Sequence, residues 1–293
     1  MAAAATSGIL VGSAIVATRF VIGQTGPASL ALMRYAIGFA CLAPAALLGG
    51  RIRFALRDLL PIAALGITQF GILIALLNYA LESIPSGRAA LIFATMPLLT
   101  MLLAALVGQE RLTASKVTGV LLTLGGVGLS LGDKALGHGG SGSSGAGAWT
   151  GEVAVFLSAL SGAVCSVLYR PYLRKYPALP VSAFAMLASV AFLALLAAGE
   201  GFFRAVPHIT FGGWLAVLFI GGNSGVGYFL WLWALAHTTP TRVTVFLSLS
   251  PVTAMLLGAA LLGESLTVLS LAGLAAVAGG LVLAHRLPAV RPA

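Results

Sequence analysis

Long apolar runs alternate with short polar stretches along the whole chain. About 20 apolar residues cross a bilayer core as a helix. Ten runs of that order can be marked, at 3–23, 28–49, 59–83, 86–107, 114–132, 151–172, 179–199, 212–237, 241–262 and 267–285. They are too long and too continuously apolar for barrel strands, which alternate between two faces. Backbone polar groups find no water in hydrocarbon, so each run is predicted to be an α-helix. The first run, within MAAAATSGILVGSAIVATRFVIG, lacks the basic leading region of a secretory signal and reads as a retained membrane helix. After the fifth run, DKALGHGGSGSSGAGAW has the composition of a flexible linker. The predicted organisation is a five-helix unit over 1–132, a Gly/Ser-rich linker over 133–150 and a second five-helix unit over 151–293.

The second unit repeats the first. PLLTMLLAALVGQERLT (97–113) and PVTAMLLGAALLGESLT (251–267) match at 8 of 17 positions at an offset of 154. At the same offset Arg88 maps to Arg242, Gly119 to Gly273, and Gly125 and Gly126 to Gly279 and Gly280. A repeat of five crossings is odd, so its second copy must enter the membrane from the opposite side. Glu110 then ends its helix on one side and its mate Glu264 ends the same helix on the other.

Composition agrees with a hydrocarbon solvent. The chain is 59% hydrophobic and 8% charged, against roughly 25% charged in a soluble domain. A net charge of +9 raises the question of nucleic acid, but there is no long basic stripe and no nucleic-acid motif. The charge has a topological reading instead. With a cytoplasmic N-terminus, eleven of the sixteen Lys and Arg residues fall on the inner side, as the positive-inside rule requires. That places both termini in the cytoplasm and the linker outside; a bacterial inner (plasma) membrane is the expected location.

Inverted repeats supply two states of equal design, one open to each face, and recur in secondary transporters with substrate held near the midplane. A secondary carrier is the reading these features favour. A channel-like or lipid-handling membrane protein is the alternative. Three stretches, SLALMRYAIGFACLAPAALL in the second run, SGRAALIFATMPLLTMLLAALVGQERLT in the fourth and its echo in the ninth, give the chain a family likeness. In this five-plus-five layout it resembles the drug/metabolite transporter superfamily, more narrowly its EamA-type branch, over essentially its whole length. It is also similar to amino-acid exporters of that superfamily. The resemblance implies ten helices in two inverted repeats around a central cavity, and export of metabolites, often amino acids. Arg19 departs from the pattern, standing where many relatives carry lysine.

Polar residues inside membrane helices are costly and therefore informative. Gln69 and Asn223 sit near the middle of the third and eighth runs and are related by the repeat. Two amides there could offer donors and acceptors to a zwitterion, or serve as interhelical glue. In GGNSGVGYFLWLWALAHT, Tyr228 and Trp231 share a helical face with Ser224 and could stack a planar side chain. Asn78 and Tyr79 could line an outer vestibule, although Tyr79, like Trp233, equally suits an interfacial aromatic belt. Thr244, Ser248 and Pro251 form a polar stripe on the ninth run. Pro97 and Pro251, expected mid-helix, are candidate hinges because proline removes an i−4 hydrogen bond.

Arg19 and Arg34 lie within runs, near enough to the outer end to snorkel, and either could instead attract a substrate carboxylate. No Asp or Glu falls at a midplane, so no buried proton relay is visible. The two cysteines, Cys41 and Cys165, read as packed thiols. The chain lacks GxxxxGK[ST], HExxH and GxSxG patterns and any metal-ligand spacing. The expected partners are a small-molecule substrate and the lipid bilayer, not nucleic acid, and neither cofactor, metal nor enzymatic activity is expected.

Overall fold

The computed structural model describes residues 2–19, 21, 23–48, 54–83, 92–136, 146–204, 208–262 and 268–285. Among these the chain is helical, without strands. The first five-run half contains α1 (Ala2–Arg19), α2 (Pro27–Leu48), α3 (Leu56–Gly66), α4 (Leu73–Ser83), α5 (Met96–Leu106) and α6 (Ala114–Leu136). The second contains α7 (Ala146–Leu168), the short α8 (Arg170–Lys175), α9 (Ala178–Gly199), α10 (Phe211–His237), α11 (Pro240–Thr244), α12 (Leu249–Leu262) and α13 (Val268–His285).

Five helical stretches among the described residues are long and apolar enough to cross a membrane: Pro27–Leu48, Leu56–Ala80, Trp149–Lys175, Ala178–Gly199 and Phe211–His237. Ala2–Thr18, Met96–Leu106 and Ala114–Leu129 are shorter apolar helices. The outer surfaces of the long helices expose large aliphatic side chains, Leu195 of α9 at 74% and Leu218 of α10 at 54% for example. Such surface is unfavourable in water and at home against acyl chains. Helix also occupies both ends of the expected linker, since α6 runs to Leu136 and α7 begins at Ala146. Residues 137–145 of that segment lie outside the described residues.

Besides the single turn residue Tyr169 between α7 and α8, three stretches depart from regular α-helix. A π-helical segment, Ile67–Ile72, joins α3 to α4. A turn at 94–95 precedes α5, and a 3₁₀ segment, Val245–Ser248, separates α11 from α12. The last two overlap under the repeat offset, 94 mapping to 248, and each ends two or three residues before its proline. The expected mid-helix position of Pro97 is corrected accordingly: it occupies the first turn of α5. There its missing N–H would have no helical partner anyway. Pro251 is the third residue of α12. Glycine closes α5: Gly108 takes a positive φ of 69°, and Gln109 N–H reaches the Ala104 carbonyl at 2.8 Å, a left-handed C-terminal cap.

The helices pair in a pattern that the repeat offset maps onto itself. α1 lies on α10 as α4 lies on α7, and α1 lies on α12 as α5 lies on α7. α2 lies on α9, and α6 on α13, each packing against its own repeat mate. The α6–α13 pair is antiparallel. A Cβ on Gly126 would come within 2.7 Å of the Gly273 carbonyl oxygen, and one on Gly280 within 2.7 Å of the Gly119 carbonyl oxygen. Ser115 Oγ donates to the Leu283 carbonyl at 2.7 Å, which continues the same antiparallel register. With no hydrophobic drive between helices in lipid, small residues that let backbones approach are what hold such pairs together.

The crossing gives a direct test. Gly126→Leu is expected to cost about 1–3 kcal/mol by overpacking and to lower the melting temperature of the detergent-purified protein by several degrees. Its neighbour Gly125 has open space around it, so Gly125→Leu is expected to leave the melting temperature nearly unchanged. Equal melting curves for the two variants would contradict the crossing.

Candidate functional site

The buried centre is aromatic and is assembled from four elements. Tyr35 of α2 contacts Phe70 of the π segment with ring centroids 4.8 Å apart. Phe70 meets Tyr228 of α10 edge-on at 4.1 Å, and Tyr228 faces Tyr169, at the end of α7, at 6.3 Å. Trp231 is buried in the same cluster. These edge-to-face pairs are favourable arrangements, and they bring Gln69, next to Phe70, to the element that touches Tyr228.

Polar atoms in this centre lack protein partners. Gln69 Oε1, the Ser189 hydroxyl and Trp231 Nε1 are buried without a hydrogen bond, while the hydroxyls of Tyr169 and Tyr228 interact only with each other. A buried unpaired polar atom costs about 1–3 kcal/mol, and native proteins hold few of them. Several in one region mark a place where a ligand's polar groups, or water, would complete the set. The π segment contributes to this: it inserts a residue into the helix and disturbs the ladder, as such bulges do at functional sites.

Asn223 stands apart. Its Nδ2 donates to the Leu10 carbonyl at 2.8 Å and to Ser13 Oγ at 3.0 Å, tying α10 to α1. Its Oδ1 is buried and unpaired. At about 100° per residue, Asn223 and Tyr228 point to different sides of α10, whereas Ser224, Tyr228 and Trp231 share one. The two amides related by the repeat therefore sit in different local structures, one in a π segment and one in a regular helix.

Ser224 Oγ donates to the Ile220 carbonyl at 2.7 Å and accepts from Arg34 Nε at 2.6 Å. Arg34, within snorkelling reach of the outer interface by sequence, turns instead to the buried side of α10. Asn78 is buried and donates to the Pro27 carbonyl at 3.2 Å, while Tyr79 is 47% exposed. Thr244 Oγ1 donates to the Pro240 carbonyl of its own helix at 3.1 Å, and Ser248 is buried. Trp233 is part-exposed and stacks on His237 at 4.2 Å. The Arg19 side chain and all of Arg88 and Glu264 lie outside the described residues.

Sequence reading offered Arg34 both as a snorkelling residue and as one that could attract a carboxylate, and missed Tyr35, Phe70, Tyr169 and Ser189 altogether. The available signals were slight: Tyr35 adjoins an arginine within a membrane run, and Phe70 adjoins Gln69.

At both ends of the bundle, carboxylates bind helix starts or nearby polar groups. Glu200 accepts from Ala28 N, Ser29 N and Ser29 Oγ at 2.8, 2.8 and 2.7 Å, where the positive end of the α2 dipole favours a carboxylate. At the opposite end Glu110 binds Lys116 Nζ at 2.6 Å and accepts from Thr241 N at 3.0 Å, linking the end of α5 to the start of α11. Nearby, Asp58 accepts from Tyr176 Oη at 2.7 Å and pairs with Lys175 at 3.2 Å. None of these carboxylates lies in the aromatic centre. Among the described residues no cluster of His, Cys, Asp and Glu could hold a metal ion.

A bundle of apolar helices around a buried, incompletely satisfied polar centre defines a polytopic helical membrane protein that handles a solute. The chain belongs to the EamA-like transporter family, whose profile matches residues 1–132 and 149–286. It is a transporter of the drug/metabolite transporter superfamily. It is 31% identical over 277 residues to a protein named a probable terminal-alkyne amino-acid exporter from Streptantibioticus cattleyicolor, covering 94% of this chain and 89% of that one. An uncharacterized transporter of Archaeoglobus fulgidus is 28% identical over 280 residues, 94% of each chain. The inner membrane transporter YedA of Escherichia coli is 27% identical, covering 94% of this chain and 87% of its own. A solved crystal structure superposes with a TM-score of 0.81 at 25% identity, over 97% of this chain and 95% of that one.

The two amides are predicted to differ in stability. Asn223→Ala removes the tie to α1 and should cost roughly 0.6–2 kcal/mol, read as a lower melting temperature. Gln69→Ala removes an unpaired atom and should leave stability unchanged or slightly raised. A larger loss for Gln69→Ala would contradict the geometry.

Proposed function

We propose that this transporter is a secondary carrier that exports small metabolites, most readily amino acids with apolar or aromatic side chains, by alternating access between two inverted five-helix units. The units are 1–132 and 151–293, with ten crossings, an external linker and both termini in the cytoplasm. The observation that carries the proposal is the aromatic centre with its unpaired polar atoms. A hydrophobic ring can stack on Tyr228 and Trp231, while Gln69 Oε1 and the tyrosine hydroxyls accept from an ammonium group. Ser224 flanks this region, Asn223 anchors α10 to α1 behind it, Asn78 and Tyr79 lie toward its outer approach, and Thr244 and Ser248 supply the facing wall on the ninth run.

Three further facts support the reading. The antiparallel crossing of α6 and α13, which are repeat mates, is what inversion demands. The exchangeable helix pairings are what a pseudo-twofold axis produces. The relative named as an amino-acid exporter is similar over nearly the whole chain. Charge placement supports the orientation, because Arg57, Arg111, Lys116, Arg170, Arg174 and Lys175 gather at the end that carries Asp58 and Glu110. Pro97 and Pro251, each beside an irregular turn, serve as hinges where a change of helix direction disrupts the fewest hydrogen bonds.

The test is counterflow in proteoliposomes. Labelled phenylalanine should enter vesicles preloaded with unlabelled substrate, saturably, and Gln69→Ala should reduce the rate several-fold with the protein still folded. Non-saturating flux without counterflow would instead identify a channel-like protein. Pro251→Ala should slow exchange more than it weakens equilibrium binding, and an unchanged exchange rate would remove the hinge from the mechanism.

A further inference from the structure

α10 has a lipid side and an inward side. Leu215, Leu218, Phe219, Val226 and Trp233 are exposed, and at about 100° per residue they fall within one sector of the helix. Ser224 projects roughly opposite the centre of that sector and is 8% exposed. Because Arg34 Nε reaches Ser224 Oγ at 2.6 Å, the arginine passes across to the inward side of α10. The close approach of α2 to α10 permits this. A Cβ on Gly225 would come within 2.7 Å of the Gly38 carbonyl oxygen, and one on Gly221 within 2.6 Å of Ile37 Cβ.

Arg34 spends one of its five N–H donors on the protein. Its Nη1 and Nη2 donate to no group among the described residues, and they are not among the polar atoms sealed from solvent. They therefore border accessible space. No described carboxylate pairs with Arg34. Glu200, the acid at the same end of the bundle, is already bound to the N-terminus of α2. A charged group within membrane helices is costly and is normally paired, so this cation lacks a counter-ion within the described protein.

Its orientation is fixed from two sides. The Ser224 hydroxyl gives its proton to Ile220 O, which leaves a lone pair for Nε. The Tyr35 ring holds the guanidinium carbon 5.4 Å from its centroid, within cation–π range. Nε is anchored and the outer edge of the guanidinium, Nη1 and Nη2, is free to act as a two-toothed donor. That edge matches a carboxylate, which guanidinium binds through two parallel hydrogen bonds.

We propose that Arg34, positioned by Ser224 and Tyr35, binds the carboxylate of the transported solute, so that the protein selects carboxylate-bearing substrates over their decarboxylated amines. The ligand's identity as cargo rests on the carrier reading above. The carboxylate site itself is tested by binding, independently of flux.

The experiment is a thermal-shift titration of the full-length protein in detergent with three probes: L-phenylalanine, 3-phenylpropionate, which has the carboxylate without the amine, and 2-phenylethylamine, which has the amine without the carboxylate. The two carboxylates should stabilise the wild type at least tenfold more strongly than the amine, which keeps only the ring and ammonium contacts. Arg34→Gln should weaken the carboxylate response at least tenfold. Arg34→Lys, which keeps the charge without the fork, should fall between, and it serves as the informative variant should Arg34→Gln not fold. Ser224→Ala should weaken the response several-fold without abolishing it. Stabilisation by the amine equal to that by the carboxylates would overturn the proposal. So would an undiminished response in Arg34→Lys or Arg34→Gln, or the lack of any carboxylate response in the folded wild type. Carboxylate binding lost in these variants but with no counterflow in wild-type vesicles would reject the carrier and keep the anchor. Counterflow by the wild type that is undiminished in Arg34→Gln and Arg34→Lys would reject the anchor and keep the carrier.

Discussion

Hydrocarbon supplies no hydrogen bonds, and every other feature of this protein answers to that constraint. Backbone groups must be paired within the chain, so the apolar runs become helices. Lipid gives no hydrophobic reward for bringing helices together, so association falls to close contact between small residues. Gly126 with Gly273, and Gly38 with Gly225, are such contacts. Where the chain departs from regular helix, at 67–72, 94–95 and 245–248, it exposes backbone that must be sheltered by protein or by a ligand. The departures at 67–72 and 245–248 each pack against several other elements.

The same constraint separates the two kinds of polar residue in the structure. Glu200, Glu110 and Asp58 stand at helix ends, where free N–H groups, a hydroxyl or lysines receive them. Their role is structural and is explained by their partners. Gln69 and Trp231 stand in the aromatic centre with polar atoms unpaired, beside the Tyr169 and Tyr228 hydroxyls, which have only each other. An unsatisfied group in a low-dielectric interior is tolerated where something from outside completes it. Arg34 bridges these two kinds, since one nitrogen is held by Ser224 and the rest of its fork is open.

The two five-run halves are alike in pairing and unlike in detail. The π segment carrying Gln69 has its mate in a regular stretch of α10, where Asn223 instead ties down α1. The carrier reading proposed above does not require a symmetric binding site: the proposed zwitterionic substrate, with one ring, one ammonium and one carboxylate, is itself asymmetric.

The pattern of apolar residues determined much by itself. It set the helical class and the positions of the runs, because burial in lipid acts on each segment locally. The 154-residue offset exposed the duplication, and the Gly125–Gly126 and Gly279–Gly280 pairs pointed to close packing, although only Gly126 and Gly280 proved tightly packed. Ser224, Tyr228 and Trp231 were legible as one face, since helical periodicity alone relates them. What the sequence could not decide is where a long side chain ends. Arg34 looked able to snorkel because its distance from a helix end is a property of one helix. That it turns to Ser224 depends on how closely α2 and α10 approach, which is a property of two. The π segment at Gln69, the start of α5 at Pro97 and the meeting of Phe70 with Tyr228 were settled in the same way, by contacts between elements far apart in the chain.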